Sequence, residues 1–241
     1  MHLEAIQKKD PSREKVWQMF DRIAHRYDLL NHLLSAGQDI RWRSKMKRYL
    51  PDRNDLKLLD VATGTGDQLF SLIKDKRIES AVGVDLAKKM LNQGRKKAEE
   101  KNSLKVVEFR EGDATELPFS DSEFDLLTIS FGIRNVTDLA SAFNEMHRVL
   151  KSAGRVIILE FSLPENKFIQ NMYLFYFRKV LPRIGEMISG DQYAYRYLNE
   201  TVENFPFGQE FCNLLAQPGF INVIAIPLTF GIASIYIAEK K

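Results

Sequence analysis

The sequence predicts an α/β fold: a seven-stranded, mostly parallel sheet with one antiparallel strand, preceded by N-terminal helices. Three observations predict it. From Leu56 onward short apolar runs alternate with amphipathic ones, the pattern of strands linked by crossover helices. The first run leads straight into Asp60-Val61-Ala62-Thr63-Gly64-Thr65-Gly66-Asp67, a glycine-rich exit of the kind that turns a strand into a helix. Further on, two β-branched runs, Ile221 to Leu228 and Gly231 to Ala238, share the tight link Leu228-Thr229-Phe230-Gly231, which predicts a hairpin and hence one antiparallel strand.

In chain order, two helices come first. Arg13 to Tyr27 carries Val16, Phe20 and Ile23 at helical spacing, and Asp39 to Tyr49 carries Ile40, Trp42 and Met46 before Pro51 ends it. Strands follow at Lys57 to Ala62, Ala81 to Asp85, Lys105 to Arg110, Phe124 to Ser130 and Arg155 to Phe161. Helices at Asp67 to Lys74, Lys88 to Lys101 and Leu139 to Leu150 separate them. The alternation then pauses for an aromatic segment, Lys167 to Ile188, before a helix at Gln209 to Gln217 and the two closing strands. Residues 1–51 thus read as a helical cap and 52–241 as a single core, with 164–208 as an insertion on the substrate side.

A chain of 241 residues can bury one sizeable α/β core, and 44% hydrophobic with 28% charged residues excludes a disordered composition. Cys212 is the only cysteine, which excludes an intrachain disulfide or a cysteine zinc cluster and points to a reducing cytoplasm. Met1 to Glu14 is polar and lacks the apolar stretch of a secretory signal. From Phe211 to Ala238 no residue is charged, long enough for a bilayer span, but Pro218, Gly219, Pro227 and Gly231 divide it into two buried strands and their surroundings. The net charge of +3 is too small to argue for nucleic acid, and none is expected as a partner. The basic run Arg41, Arg43, Lys45, Lys47 and Arg48 reads as a solvated helix face, with attraction to an anionic membrane surface as the sharper alternative.

Four predicted strands deliver a small or polar group to one edge of the sheet, where open α/β folds bind ligands. Gly64 and Gly66 leave the first strand, but position 69 is Leu and no Gly-Lys-Ser/Thr follows, so phosphate cradling is not the favoured use. Asp85 ends the second strand, 19 residues beyond Gly66, where a carboxylate can accept hydrogen bonds from both hydroxyls of a ribose. Glu111-Gly112-Asp113-Ala114 and Leu117-Pro118-Phe119 follow the third, offering a carboxylate for an adenine amino group and an apolar edge for its ring. Ser130-Phe131-Gly132 ends the fourth. Taken singly, Asp85 and Asp113 also serve as helix caps and the glycines as turns; their joint register with the strands favours a nucleoside site.

The sequence closely resembles the demethylmenaquinone and polyprenyl-benzoquinol C-methyltransferases of menaquinone and ubiquinone biosynthesis. The matching blocks include Phe20-Asp21-Arg22-Ile23-Ala24 with Tyr27-Asp28, Trp42-Arg43, Gly64-Thr65-Gly66-Asp67, Gly112-Asp113-Ala114 and Leu159-Glu160-Phe161-Ser162. Ser130-Phe131-Gly132-Ile133-Arg134-Asn135 is the most specific, since generic methyltransferases lack it. The resemblance implies a Rossmann-like class I methyltransferase with S-adenosylmethionine at Thr65, Asp85, Asp113, Ala114 and Ser130. Its acceptor would be a prenylated quinol, demethylmenaquinol in preference to the ubiquinone-branch benzoquinol. The setting it implies is a cytoplasmic protein, peripheral at the inner face of the membrane and capable of forming homo-oligomers. Three positions depart from the family pattern. Lys151-Ser152-Ala153-Gly154 stands for Lys-Pro-Gly-Gly, Pro218-Gly219-Phe220 for Ala-Gly-Phe, and Tyr236 for a histidine.

For such a reaction Arg134 and Asn135 are the leading catalytic residues, the guanidinium stabilising a phenolate and the amide holding a ring oxygen. The alternative for Arg134 is a surface ion pair. Tyr27 and His25, on a segment able to cover the site, stand behind them; His147 and Cys212 read as structural. The stripe Ile169, Tyr173, Tyr176, Phe177, Val180 and Leu181 reads equally as core and as a groove or membrane-facing surface for the prenyl tail. An RNA or protein methyltransferase and a non-catalytic nucleotide-binding scaffold are the rival classes. Against the first, the fourth strand lacks the Asn/Asp-Pro-Pro-Tyr/Phe that such enzymes often carry; against the second stands the Arg134-Asn135 pair.

Overall fold

The computed structural model describes residues 16–18, 21, 32, 35, 37–180, 183 and 192–241, with the side chains of 192–196 outside that description. Seven strands form one sheet: β1 (Leu56–Val61), β2 (Ile78–Asp85), β3 (Val107–Glu111), β4 (Phe124–Ser130), β5 (Leu150–Phe161), β6 (Phe220–Leu228) and β7 (Ala233–Lys240). Their order across the sheet is β3-β2-β1-β4-β5-β7-β6. All neighbours from β3 to β5 are parallel, and β7 runs antiparallel to both β5 and β6, so the predicted single reversed strand is found.

The helices are α1 (Gln38–Lys45), α2 (Asp67–Leu72), α3 (Lys88–Glu100), α4 (Leu139–Val149), α5 (Lys167–Phe175), α6 (Gln192–Asn204) and α7 (Gln209–Ala216). They cover both faces, which is why the central strands are continuous apolar runs. Successive residues alternate between the two cores: Leu127 and Ile129 of β4 join Phe143 and Phe211 on one face, while Leu126 joins Leu69, Leu91 and Trp42 on the other. The predicted helix Arg13 to Tyr27 falls largely outside the described residues; Val16 to Gln18 are helical. Asp21 caps the start of α3 by accepting the Lys89 N–H at 2.8 Å.

Four details differ from the expectations. The helix predicted over Asp39 to Tyr49 tightens into a 3₁₀ turn at Met46–Tyr49. β5 begins at Leu150 rather than Arg155, because its first residue already pairs with Phe124 and residues 151–154 bulge out before the ladder resumes at Leu126 and Arg155. Of the two closing strands only β7 is buried. β6 is the edge of the sheet, with Ile221 and Ile224 exposed and the ladder broken between them, a common way to blunt an edge. Arg43, expected on a solvated face, is buried with its guanidinium 5.2 Å from the Phe131 ring centroid, whereas Arg41 and Arg48 are exposed.

Among the described residues no helix is long and apolar enough to cross a membrane, and the uncharged stretch from Phe211 resolves into α7 and the closing hairpin. Tyr236 is a core residue whose hydroxyl accepts the Gly208 N–H, and the half-buried His147 sets its ring edge-on against Phe220. Cys212 is buried.

Candidate functional site

Strand order reverses between β1 and β4: β2 and β3 lie on one side and β5 on the other. The crossover connections diverge there and open a crevice at the carboxyl edge. A cavity of about 390 Å³ occupies it, within the usual range for a small-molecule site. Its wall comes from the exits of β1 (Ala62, Gly64), β2 (Asp85), β3 (Gly112, Asp113, Ala114) and β4 (Ser130, Phe131, Gly132, Asn135), with Val16 and Trp17 of the N-terminal segment closing one side.

The exits are held under backbone strain. Ala62 and Phe131 both adopt left-handed conformations, φ +51° and +59°, although neither is glycine. Ala62 leads into the Gly64–Gly66 turn, and Gly66 at φ +84° packs so tightly that a Cβ would lie 2.9 Å from both Phe70 and Phe109. Gly66 is therefore a packing glycine behind the cavity rather than part of its wall. Phe131 is clamped between Trp42 and Phe161, at centroid distances of 6.2 and 4.5 Å.

Asp85 staples two exits together. Its carboxylate accepts the Gly64 N–H at one oxygen and the Ala87 N–H at the other, both at 2.8 Å. Each oxygen keeps a lone pair for a ligand hydroxyl. Burial raises its pKa, against those backbone hydrogen bonds, and the Asp21 charge raises it further. Asp113 accepts the N–H and hydroxyl of Thr115 at Oδ1, so it caps its turn and lines the cavity at once. The apolar wall beside it consists of Leu86, Met90 and Ala114. Leu117 and Phe119, expected to supply that edge, belong to the core, with Phe119 edge-on to Phe124.

A second, smaller pocket of about 20 Å³ adjoins the first, sharing Ala62, Gly64 and Ser130 with it. Arg43, Asp60, Thr63, Thr65, Asp67 and Gln68 complete its polar lining. Thr65 lies here, its hydroxyl accepting from Lys97 Nζ at 2.9 Å. The Ser130 hydroxyl donates to Gln68 Oε1 at 3.0 Å. Asp60 accepts hydroxyls from Thr63 and Thr128, both at 2.6 Å, and burial outweighs these bonds to raise its pKa from 3.8 to about 6. For Asp67 burial also pushes upward, but the Lys97 charge and hydrogen bond, with Arg43 and His32, bring the pKa below its ordinary value. The sequence pattern named Arg43 and Asp60 without marking either as a ligand contact, and did not mark Gln68 at all. The signal for Gln68 was its position one turn after the glycines; that for Arg43 was its place beside Trp42.

The β4 exit is organised differently. Asn135 faces the cavity and its Oδ1 accepts the Tyr197 hydroxyl at 3.2 Å. Arg134 does not face it. Its guanidinium is buried, donates to Glu160 at 2.8 Å and to the Phe131 carbonyl, and lies 5.4 Å from the Phe161 ring centroid. The alternative reading of Arg134 as an ion pair is the geometry observed, buried rather than at the surface. Tyr27 and His25 lie outside the described residues.

Comparison with known proteins agrees with this architecture. Residues 8–240 match the model of the ubiE/COQ5 methyltransferase family. A demethylmenaquinone methyltransferase of Bacteroides fragilis is 40% identical, with 94% of this chain aligned to 93% of that protein. A ubiquinone/menaquinone biosynthesis C-methyltransferase UbiE of Geotalea uraniireducens is 43% identical over 94% of this chain and 97% of its own length. Among solved structures, a possible histamine N-methyltransferase of Thermotoga maritima shares the fold with a TM-score of 0.65 at 20% identity, covering 93% of this chain and 99% of that one. A putative S-adenosylmethionine-dependent methyltransferase of Methanococcus maripaludis does so with a TM-score of 0.64 at 22% identity, covering 92% and 94%. By the family match over nearly its whole length, and by relatives this similar, the chain belongs to the ubiE/COQ5 methyltransferase family.

Proposed function

We propose that the chain transfers a methyl group from S-adenosylmethionine to a ring carbon of a prenylated quinol, with demethylmenaquinol as the acceptor. One observation carries this reading. A single cavity has a ribose-competent carboxylate, Asp85, in one part of its wall and the Asn135 amide of the Phe-Gly-Ile-Arg-Asn block in another. The preference for the naphthoquinol follows the Bacteroides relative's name and the Gly112-Asp113-Ala114 and Tyr27-Asp28 blocks.

The donor fits the residues present. Asp85 accepts its ribose hydroxyls, Asp113 its adenine amino group, and Leu86, Met90 and Ala114 flank the ring. When bound, S-adenosylmethionine supplies an electrophilic methyl on a sulfonium. The protein must set the acceptor carbon in line with it, and such alignment reaches effective molarities of about 10⁵ to 10⁸ M. Asn135, oriented by Tyr197, holds a ring oxygen at that point. As a ring hydroxyl gives up its proton, the ring carbon becomes nucleophilic, and once that carbon is methylated it loses its own hydrogen as a proton while the oxygen is reprotonated to restore the quinol; a general base assists by about 10² to 10⁴-fold. Arg134 serves as a positioning residue, fixing the Phe131–Asn135 turn through the Phe131 carbonyl and Glu160. Tyr27, which lies outside the described residues, is the further catalytic group the sequence offers.

The 164–208 insertion makes the acceptor side, since Tyr197 within it reaches Asn135. Along α5, Tyr173 faces the core while Phe168, Met172 and Phe175 are exposed, an apolar strip suited to peripheral contact with the inner face of a membrane carrying the prenylated acceptor. The test supplies labelled S-adenosylmethionine with demethylmenaquinol, with a demethylated benzoquinol, and with RNA. Label in the naphthoquinol is expected. Label in the benzoquinol alone transfers the reading to the ubiquinone branch, and label only in RNA, or nowhere, defeats it.

A further inference from the structure

We infer that Arg43 and Gln68 bind the carboxylate of the amino-acid end of the methyl donor, in the small pocket beside the main cavity. The inference rests on the donor reading above and adds the group that recognises the end remote from the nucleoside. It starts from two orphaned donors. Five buried side-chain nitrogen or oxygen atoms among the described residues lack a hydrogen-bond partner, and two of them, Arg43 Nε and Gln68 Nε2, belong to residues lining this one pocket. Arg43 is 7% exposed and Gln68 1%. Leaving a buried donor unpaired is costly, and more so for a charged group, so two at one place point to an acceptor that is part of the working protein.

Both donors are fixed in place. The Gln68 amide is oriented by the Ser130 hydroxyl, which donates to its Oε1 and leaves the NH₂ end for another partner. The Arg43 guanidinium lies against the Phe131 ring, 5.2 Å from its centroid. Its nearest carboxylate, Asp39, is 3.9 Å from Nε, beyond hydrogen-bond reach, and is already engaged by His32 at one oxygen and Ser35 at the other. Arg43 is thus a buried cation within ion-pair range of Asp39 and in the field of Asp60 and Asp67, but its Nε has no hydrogen-bond acceptor.

Size and charge select the ligand. A volume of about 20 Å³ admits one or two water-sized groups, the scale of a carboxylate head. The pocket continues from the main cavity past Gly64 and Ser130, so a chain leaving the sulfonium there runs directly into it. Asp60 and Asp67 also line it, and two carboxylates would repel phosphate or another simple anion. A zwitterion meets both signs: its carboxylate faces Arg43 and Gln68, and its ammonium lies in the field of the acids.

The test is calorimetric and needs no turnover. S-adenosylhomocysteine, its decarboxylated analogue and adenosine are titrated into the full chain and into Arg43→Met, Arg43→Lys and Gln68→Leu. Hydrogen bonds to a charged group are worth about 1.5–3 kcal/mol, so the wild type should prefer the carboxylated ligand over the decarboxylated one by about 10- to 100-fold. Arg43→Met should erase most of that preference while adenosine binds as before, Arg43→Lys should restore part of it, and Gln68→Leu should show a smaller loss of the same kind. A wild type that binds both ligands equally, a preference that survives in Arg43→Met, or a variant that loses adenosine in step overturns the inference. A wild type that binds neither S-adenosylhomocysteine nor adenosine defeats the donor reading itself, and this inference with it.

Discussion

The exits of β1 and β2 direct their polar groups toward the cavity, whereas the exit of β4 turns its charge away from it. On the donor side Asp85 is a half-buried carboxylate held by two backbone N–H groups, with lone pairs left over. On the acceptor side Arg134 and Glu160 consume one another inside the fold, and the polar side chains that meet the cavity there, Ser130, Asn135 and Thr137, are neutral. In the proposed function, recognition of a polar cofactor would use fixed carboxylates, while the acceptor side uses charge as scaffolding and leaves a mostly uncharged wall. That suits a ring that must lose a proton without being trapped in an ion pair.

The comparison can be broken most sharply at the buried pair. Removing one partner strands a charge in the interior, so Arg134→Met or Glu160→Gln should lower unfolding stability by about 3–5 kcal/mol, and the double variant Arg134→Met with Glu160→Leu should recover a large part of it. Urea unfolding checks this; a single variant as stable as the parent would mean that Arg134 is not structural. On the donor side, Asp60 makes a pH-dependent contribution. Its folded pKa, about 6, lies above the ordinary 3.8, so the folded state holds this proton more tightly than the unfolded chain. Stability from this group is greatest below 3.8, falls as the pH rises toward 6 and is flat above, a change of about 3 kcal/mol. The stability difference between wild type and Asp60→Asn should trace that curve.

Asp85→Ala should weaken S-adenosylhomocysteine about 10- to 100-fold, since a charge-assisted contact to the ribose is lost, with a smaller effect on stability. Calorimetry separates this from the buried pair, whose variants should alter stability more than donor affinity. The smallest expected effect lies at Ala62. At φ +51° glycine relieves the strain, and Ala62→Gly should stabilise the protein by about 0.5–1 kcal/mol, a rise in Tm of about 2 °C.

The cavity wall was legible because its residues sit where a strand stops, and stops are marked locally by glycine and by acids such as Asp85 and Asp113. Arg134 was found by the same punctuation, but its partner is Glu160 on the next strand, and no spacing rule connects them. Arg43 was misread because Lys and Arg at helical spacing resemble a solvated face; its burial against Phe131 exists only after the chain folds back. Leu117 and Phe119 were placed in the cavity by proximity to Asp113, yet the tight turn there sends them into the core against Phe124. Hydrophobic pattern located β5 and β6, but neither the bulge at residues 151–154 nor the exposed edge followed from it, because both depend on which strand lies alongside.

The position of β7 has a consequence for biosynthesis. It is translated after every other strand, yet its place is between β5 and β6, and the link before it carries Thr229, whose hydroxyl accepts the Trp42 indole N–H at 2.8 Å. Until that strand leaves the ribosome, β5 has an open edge and the indole beside Phe131 lacks its partner. A stalled or truncated nascent chain would hold strands β1 to β5 while exposing a sticky β-edge, a species for holdase chaperones to recognise and for quality-control proteases to remove.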